Sequence, residues 1–265
     1  MGELKDSIFQ NMTYSELKSL FSFVRPPILS KMKKLKLVNY KRSFPRTYNF
    51  LDEYQECKAP VRVQGKCGFC WAFSSTLSLA YRFCKLTHQF IEFSPQYSVS
   101  SDTNNYGCDY GTFEETWNFF EEEGSISEKC FPYVSQDFGI PECPQICKDG
   151  TEMNKYKIKE MSKESFNGPI EFKSELIKSG PLQVGIDLHM DILTYSGGVY
   201  RVSKGEYPLG SHAVVIIGWG EENESQYWIV QNSWGEKWGE KGFFRIAFGE
   251  AGIDSIGYGG IPKIN

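Results

Sequence analysis

Apolar residues recur at helical spacing in the first two thirds of the chain and in short runs in the last third. The clearest helical period covers residues 70–86, where an apolar stripe is formed by residues about one turn apart: Phe73, Leu77, Ala80 and Cys84. Residues 112–122 form a second amphipathic pattern, and residues 164–178 form a weaker third one. We therefore predict three helices, of which the first is buried.

After Gly180 and Pro181 the pattern changes to short apolar runs, each bounded by glycine, proline or a charged residue. These runs predict five strands, at residues 182–186, 198–202, 213–219, 227–230 and 243–247. Helices first and strands later are typical of an α+β chain folded as two packed lobes. No stretch of the sequence is long and apolar enough to predict a membrane span.

The first 43 residues differ in pattern from the rest of the chain. Residues 12–24 predict a short helix, with a capping box at Thr13 and Glu16 and one apolar face: Leu17, Leu20, Phe21 and Val24. Residues 28–43 are basic and predict an extended segment that is open to proteolysis. The composition becomes globular from Phe44 onward, so we expect a separate N-terminal segment and one folded body.

Charge separates the same two parts. Residues 1–43 hold nine Lys/Arg and three Asp/Glu, a net charge of +6. Because the whole chain has 29 basic and 33 acidic residues, residues 44–265 keep 20 and 30, a net charge of −10. A negative body argues against nucleic acid as its partner. Charge alone leaves two alternatives for the N-terminal segment, which either binds its own body or is a solvated linker.

Cys70 is the first candidate for chemistry. It would begin the first predicted helix, where unpaired backbone N–H groups and the helix dipole favour a thiolate. A nucleophile of this kind needs a base, and the chain has three histidines. His88 and His189 lie in polar surroundings typical of exposed loops. His212 starts a strongly apolar strand, and Asn232 ends the next strand, so these two could act together with Cys70.

Three motifs resemble the papain-like cysteine proteases across residues 44–265: Gln64…Cys70-Trp71, Ser211-His212-Ala213 and Asn232-Ser233-Trp234-Gly235. The resemblance implies a papain-like two-lobe α+β fold. A helical left lobe with a long central helix and a β-barrel-like right lobe would flank an active-site cleft. It implies Cys70 as the nucleophile, His212 as the general acid/base and Asn232 as the residue that holds the imidazole. Gln64 and the Cys70 backbone N–H would form the oxyanion hole, with neither metal nor cofactor.

Within this family the sequence resembles cathepsin B at Phe44-Pro45, at residues 108–120 and 252–262, and at residues 11–21. The resemblance implies three disulfides, Cys57–Cys84, Cys67–Cys108 and Cys130–Cys147, and it leaves Cys143 without a partner. It also implies that residues 1–43 are an inhibitory pro-segment and residues 44–265 the catalytic domain. We expect activation by cleavage near Lys41–Phe44, faster at acid pH.

Two departures from cathepsin B predict the specificity. No histidine lies between Cys130 and Cys143, whereas cathepsin B carries a histidine pair in an occluding loop there. We therefore expect an open-ended cleft and endopeptidase activity. Ile256 lies where cathepsin B has an acid, so Ile256, Phe113 and Ala213 should form an apolar pocket. Such a pocket should prefer Leu, Val or Phe over Arg at P2, because an unpaired buried charge is costly.

Further substrate contacts are expected from Trp234 and from Gly111, whose backbone would hold the substrate extended. Phe69 and Tyr110 stand where the family has smaller residues. They are either surface variation on the non-primed wall or two aromatic side chains that narrow S1 and stack on the substrate.

Three alternatives to a protease remain at this point. Cys67-x-x-Cys70 could belong to a redox or zinc protein, although the strand order of a thioredoxin-like unit and two further zinc ligands are not apparent. The chain could also be a non-catalytic relative that only binds peptides. A peptide ligase or transpeptidase would use the same acyl-enzyme, and analysis of the products would separate it from a hydrolase.

The expected partners are protein or peptide substrates and the chain's own pro-segment, with no nucleic acid and no membrane, and we expect a monomer. Eight cysteines favour an oxidising compartment, either a lysosome-like vesicle or the cell exterior. We therefore expect that a signal peptide has been removed from this chain. Asn11 and Asn223 begin the two triplets that could accept a glycan.

Overall fold

The structure is a computed structural model that describes residues 9, 12–19, 21, 44–136 and 139–264. The predicted extended segment at 28–43, with the proposed cleavage site, lies outside the described residues. The predicted N-terminal helix is present as α1, Tyr14–Ser19. Its capping box is confirmed, because the Thr13 N–H donates to Glu16 Oε2 at 2.7 Å and the Glu16 N–H donates to Thr13 Oγ1 at 3.3 Å.

Five further α-helices are α2 (Phe50–Glu53), α3 (Cys70–Thr87), α4 (Pro95–Ser101), α5 (Phe113–Glu122) and α6 (Gly168–Lys178). The predictions of α3 and α5 are confirmed. The helix predicted over residues 164–178 is wrong at its start, because residues 164–166 form a strand. Gly168 adopts a left-handed φ of +75° and a proline follows it, so the helix begins there. Helix α4 was not predicted, although Ser94 caps it and Pro95 begins it.

The strands are β1 (Tyr48–Asn49), β2 (Glu164–Phe166), β3 (Leu182–His189), β4 (Val199–Tyr200), β5 (Pro208–Glu222), β6 (Ser225–Gln231), β7 (Phe243–Ala247) and β8 (Gly257–Gly259). They form one sheet in the order β2-β8-β3-β5-β6-β7-β4, with β1 paired to β5. The β4–β7 pair is parallel and the others are antiparallel. The expected barrel-like closure is wrong, because β2 and β4 do not pair among the described strands and the sheet stays open.

The two largest hydrophobic clusters of the described residues define the two lobes of this α+β chain. The left lobe packs α3 and α5 around residues such as Leu79, Trp117 and Phe120. The right lobe packs the sheet and α6 around residues such as Trp228 and Phe244. A buried ion pair joins the lobes, since Arg82 of α3 lies 3.0 Å from Glu175 of α6. Because these groups are buried, each compensates the desolvation of the other.

Three disulfides are present, Cys57–Cys84, Cys67–Cys108 and Cys130–Cys147, which are the pairs that the resemblance implies. Cys70 and Cys143 are free. Cys67 is thus a cross-link and not half of a dithiol with Cys70. Among the described residues, no cluster of three or more His, Cys, Asp or Glu could hold a metal ion. No helix in the described part of the chain has the length and apolar character of a membrane span.

Candidate active site

Cys70 is the first residue of α3 and is fully buried. Its sulfur interacts with the backbone N–H of Ala213, the residue after His212, and with the N–H groups of Trp71 and Cys70. These donors favour a thiolate, but burial outweighs them and raises the pKa of the Cys70 thiol to about 12. The thiolate that the sequence predicts at a helix start is therefore not the stable form in this conformation.

His212 and Asn232 meet at the lobe interface, from β5 and from the end of β6. The imidazole Nε2 lies 2.8 Å from Asn232 Oδ1, which also accepts the Ser233 N–H at 2.8 Å. Because a backbone N–H can only donate, the shared amide atom is oxygen and His212 Nε2 must be the donor. The neutral ring consequently keeps its lone pair on Nδ1, which is buried and has no hydrogen-bond partner among the described residues.

Burial also controls the charge of His212. It lowers the pKa of the imidazole to about 4, although the hydrogen bond to Asn232 acts in the opposite direction. Trp234 stacks on the ring at 4.8 Å between centroids, and the Phe21 ring meets it edge-on at 5.8 Å. Cys70 and His212 are therefore both neutral at neutral pH in the described conformation.

Gln64 lies beside this pair and is almost fully buried. Its Nε2 donates to Cys67 O at 3.1 Å, and its Oε1 accepts the Ser233 hydroxyl at 2.7 Å. Since a carbonyl can only accept, Cys67 fixes the orientation of the amide. An amide NH₂ carries two donors, so the second N–H of Nε2 is left for an incoming oxygen. The Gln64 backbone N–H donates to Ser233 O at 3.0 Å, which ties this loop to the right lobe.

The expected pocket residues are brought together. Phe113 and Ala213 are buried in the same cluster as Cys70, and the partly buried Ile256 packs against that cluster. Tyr258, which the sequence analysis missed, belongs to it as well and meets Phe113 edge-on at 5.8 Å. The residues expected to line one apolar pocket thus share one apolar core region.

Gly111 lies against the indole of Trp71, and a Cβ at this position would come within 2.5 Å of the ring. Only glycine fits there, which fixes the chain immediately before α5. Tyr110 next to it stacks on Tyr106, with ring centroids 4.2 Å apart. Tyr106 is well exposed, so the pair forms an aromatic surface that the sequence analysis did not predict.

Phe69 does not lie on an exposed wall. It is fully buried and meets the ring of Tyr133 edge-on at 6.1 Å. The interpretation in which Phe69 and Tyr110 together narrow S1 is therefore wrong for Phe69, which packs inside the left lobe.

The other two histidines lie elsewhere. His88 is exposed and its Nδ1 lies 2.8 Å from Glu56 Oε1. His189 is partly buried at the end of β3. Neither makes a described contact with Cys70 or Asn232, so His212 is the histidine that the fold brings to this site.

The described residues of the N-terminal segment cover the right-lobe side of the site. Phe9 packs edge-on against Trp234 at 4.8 Å, and Phe21 lies 5.7 Å from the same ring. Phe9, Leu17 and Phe21 are buried in the right-lobe core. Leu17 of α1 and Phe21, which lies beyond the end of α1, belong to the predicted apolar face, whereas Leu20 and Val24 lie outside the described residues. The described part of this contact is made by apolar side chains.

Comparisons with known proteins identify the class. Residues 45–259 match the family model for papain family cysteine proteases. The chain therefore belongs to the papain family of cysteine proteases.

Several of its relatives are cathepsin B-like. Cathepsin B-like CP1 of Giardia intestinalis is 34% identical over 255 residues, covering 91% of this chain and 82% of the relative. Cathepsin B-like CP3 of the same organism is 37% identical over 223 residues, covering 82% and 74%. The structure of procathepsin B S9 from Trypanosoma congolense superposes with a TM-score of 0.88 at 26% identity, covering 99% of this chain and 93% of that one. The chain thus shares the fold of that solved cathepsin B proenzyme.

Proposed function

We propose that this chain is the proenzyme of a cysteine endopeptidase in which Cys70, His212 and Asn232 form the catalytic triad. The observation that carries the proposal is the hydrogen bond from His212 Nε2 to Asn232. It leaves a buried, unpaired lone pair on Nδ1, while the Cys70 sulfur interacts with the adjacent Ala213 N–H. A base oriented in this way next to a thiol at a helix start is the arrangement that nucleophilic catalysis needs.

In the working state the proton of Cys70 resides on His212 Nδ1. The thiolate attacks the carbonyl carbon of the peptide, forming a C–S bond and a tetrahedral oxyanion. His212 then gives its proton to the leaving amine as the C–N bond breaks, which leaves an acyl-enzyme. A water molecule, deprotonated by His212, attacks that thioester, and the thiol is regenerated together with the carboxylate product.

Gln64 would stabilise the oxyanion with its second Nε2 N–H, together with the backbone N–H of Cys70. The amide cannot rotate freely, because Cys67 and Ser233 hold its nitrogen and oxygen respectively. A donor that is fixed before the reaction costs no reorganisation when the charge develops.

The proposed specificity follows from the apolar residues around Cys70. Phe113, Ala213 and Ile256 form the S2 pocket and favour Leu, Val or Phe at P2, with Gly111, Tyr110 and Trp234 as further contacts. The segment between Cys130 and Cys143 offers no histidine pair to bind the carboxylate end of a substrate. We therefore propose internal cleavage and not dipeptide removal.

Residues 1–43 are proposed as the inhibitory pro-segment and residues 44–265 as the catalytic domain. Phe21 and Phe9 cover His212 and Trp234, which would prevent substrate binding. From Phe44 onward the chain is anchored, because Phe44 packs on Trp219 and the Trp219 Nε1–H donates to Pro45 O at 3.0 Å. Cleavage near Lys41–Phe44 would release the cover and leave the body intact. Three disulfides support an oxidising compartment of the secretory pathway.

The test compares the full chain with Cys70→Ala and with Cys143→Ala, which changes the other free cysteine. We expect self-processing and peptide cleavage by the full chain and by Cys143→Ala, and neither by Cys70→Ala, between about pH 4 and pH 7. In the Cys143→Ala variant, which lacks the second free cysteine, labelling of the processed protein by iodoacetamide should require Cys70. A processed chain that is neither labelled nor active would establish a peptide-binding protein, and joined peptides among the products would establish a ligase.

A further inference from the structure

Residues 133–136, here called the strap, lie directly against the loop that carries Gln64. The Tyr133 hydroxyl donates to Gln64 O at 2.6 Å, and the Lys66 N–H donates to Gln136 O at 2.9 Å. Gly65 lies between these two bonds with a φ of +75°, and a Cβ there would come within 2.6 Å of Gln136 O. The loop and the strap are thus in backbone contact, with no room for a side chain between them.

The strap is held from its other side by polar groups of the left lobe. Gln96 of α4 is fully buried, and its Oε1 accepts the N–H groups of Val134 at 2.9 Å and Ser135 at 3.2 Å. Glu128 Oε1 accepts the Tyr133 N–H at 2.9 Å. These bonds fix the backbone of the strap, so the Tyr133 hydroxyl reaches Gln64 from a rigid support.

The ring of Tyr133 is held by residues on both sides of Cys70. Phe73 meets it edge-on at 4.7 Å, and the buried Phe69 meets it at 6.1 Å. Edge-to-face pairs at these distances favour one ring orientation. Phe69, which had no clear role from sequence, is therefore one of the residues that orient Tyr133.

Gln64 is consequently fixed at both of its backbone polar groups. Its N–H donates to Ser233 O at 3.0 Å in the right lobe, and its C=O accepts from Tyr133 in the left lobe. We propose that Tyr133 is a positioning residue for the oxyanion donor Gln64. This inference rests on the proposed function, and Tyr133 itself touches neither substrate nor nucleophile in it.

Loss of the Tyr133 hydroxyl would leave the Gln64 carbonyl without this donor and let the loop shift. Removal of a whole oxyanion donor lowers kcat by about 10²–10³. Loosening the donor should have a smaller effect, so for Tyr133→Phe we expect kcat to fall by about tenfold, with KM little changed. Alkylation of Cys70 by iodoacetamide forms no oxyanion, and its rate should stay near that of the wild type.

The experiment measures kcat, KM and the alkylation rate for processed wild type, Tyr133→Phe and a matched control, Tyr156→Phe. The Tyr156 hydroxyl accepts from Asn154 at 3.0 Å, away from Gln64. A peptide aldehyde supplies a further readout. The thiol adds to its carbonyl carbon, the thiol proton ends on the oxygen, and that oxygen occupies the oxyanion position. We expect weaker aldehyde affinity in Tyr133→Phe and unchanged values in Tyr156→Phe.

A double mutant separates positioning from general loosening. In a Gln64→Ala background, Tyr133→Phe should have almost no further effect on kcat, because the donor that it positions is gone. An undiminished effect in that background, or an equal loss of alkylation and of kcat, would overturn the inference. If Tyr133→Phe does not fold, Phe69→Leu provides the test. For Phe69→Leu we expect a smaller fall in kcat than for Tyr133→Phe, and again an unchanged alkylation rate. An inactive wild type would instead refute the proposed function.

Discussion

The Gln64 side of the site is fixed by polar and covalent bonds, whereas the His212 side is covered by aromatic rings of the N-terminal segment. On the first side, the Cys67–Cys108 disulfide and the strap hold the loop before α3. On the second, Phe9 and Phe21 lie on Trp234 and His212 through ring contacts. The disulfide and the hydrogen bond next to Gln64 join residues that all lie in 44–265, so they do not depend on residues 1–43. The ring contacts on Trp234 and His212 are made by Phe9 and Phe21 and are lost without that segment. The comparison indicates that the loop is fixed independently of the N-terminal segment, whereas that segment shields His212.

The largest effect is expected on the first side, from removal of the Cys67–Cys108 disulfide. The two cysteines are 41 residues apart, so the chain-entropy model gives a loss of about 4 kcal/mol in the free energy of unfolding. Urea denaturation of Cys67→Ser/Cys108→Ser on a Cys70→Ala background measures it without self-processing. Cys143→Ser on the same background is the control and should change stability little. A loss below about 1 kcal/mol would show that the strap alone fixes this loop.

Asn232→Ala should have the next largest effect, on the second side of the site. Without Asn232 Oδ1, the imidazole loses the acceptor that keeps its proton on Nε2 and its lone pair on Nδ1. We expect kcat of the processed enzyme to fall at least about 100-fold, with KM little changed. Asn118→Ala, which alters an amide on α5, serves as the control. Retention of kcat within a few fold would mean that Trp234 alone orients His212.

The sequence predicts the site better than it predicts what surrounds the site. In the sequence, Cys70, His212 and Asn232 each border an apolar run, where a polar side chain is conspicuous. In the fold, His212 meets Asn232, and Cys70 lies against the Ala213 backbone next to His212. Tyr133 lies in a segment with no periodicity, and its partner is 69 residues away, so no local signal marks it. The strand at Glu164–Phe166 was missed because it is only three residues long and its partner lies near the C-terminus. Pairing between strands that are distant in sequence determines the structure of residues 164–166, and it also determines which strands form the edges of the open sheet.

Phe21→Ala removes the aromatic ring that lies on His212, and its effect is measured through the titration of His212. Burial holds the pKa of His212 at about 4, below its usual value of 6.5. Between about pH 4 and pH 6.5, the folded chain therefore binds fewer protons than the unfolded chain. The folded chain therefore loses stability as the pH falls below about 6.5, and this loss is complete below about pH 4. Removing the Phe21 ring should hydrate His212, raise its pKa towards 6.5 and flatten this dependence.

NMR titration of the full chain carrying Cys70→Ala measures the His212 pKa, with His88 and His189 as internal references. Phe9→Ala is the matched control, because Phe9 packs on Trp234 and has no described ring contact with His212. It should leave the His212 pKa nearer to about 4 than Phe21→Ala does. If both variants titrate like the parent, Trp234 and the lobe interface keep water from the imidazole, and Phe21 only blocks substrate.

The smallest effect is expected at Tyr106, which stacks on Tyr110 next to Gly111. Tyr106 and Tyr110 stack at 4.2 Å beside Gly111, so an aromatic substrate side chain could add a third ring to the pair. One such ring contact is worth about 0.5–1.5 kcal/mol beyond buried area. Tyr106→Ala should therefore raise KM about fivefold for a peptide with an aromatic residue on the non-primed side, and hardly at all for its alanine counterpart. Tyr207→Ala removes another exposed tyrosine, away from this pair, and is the control. Equal changes in KM for both peptides would show that the stacked pair supports the backbone at Gly111 and does not recognise a side chain.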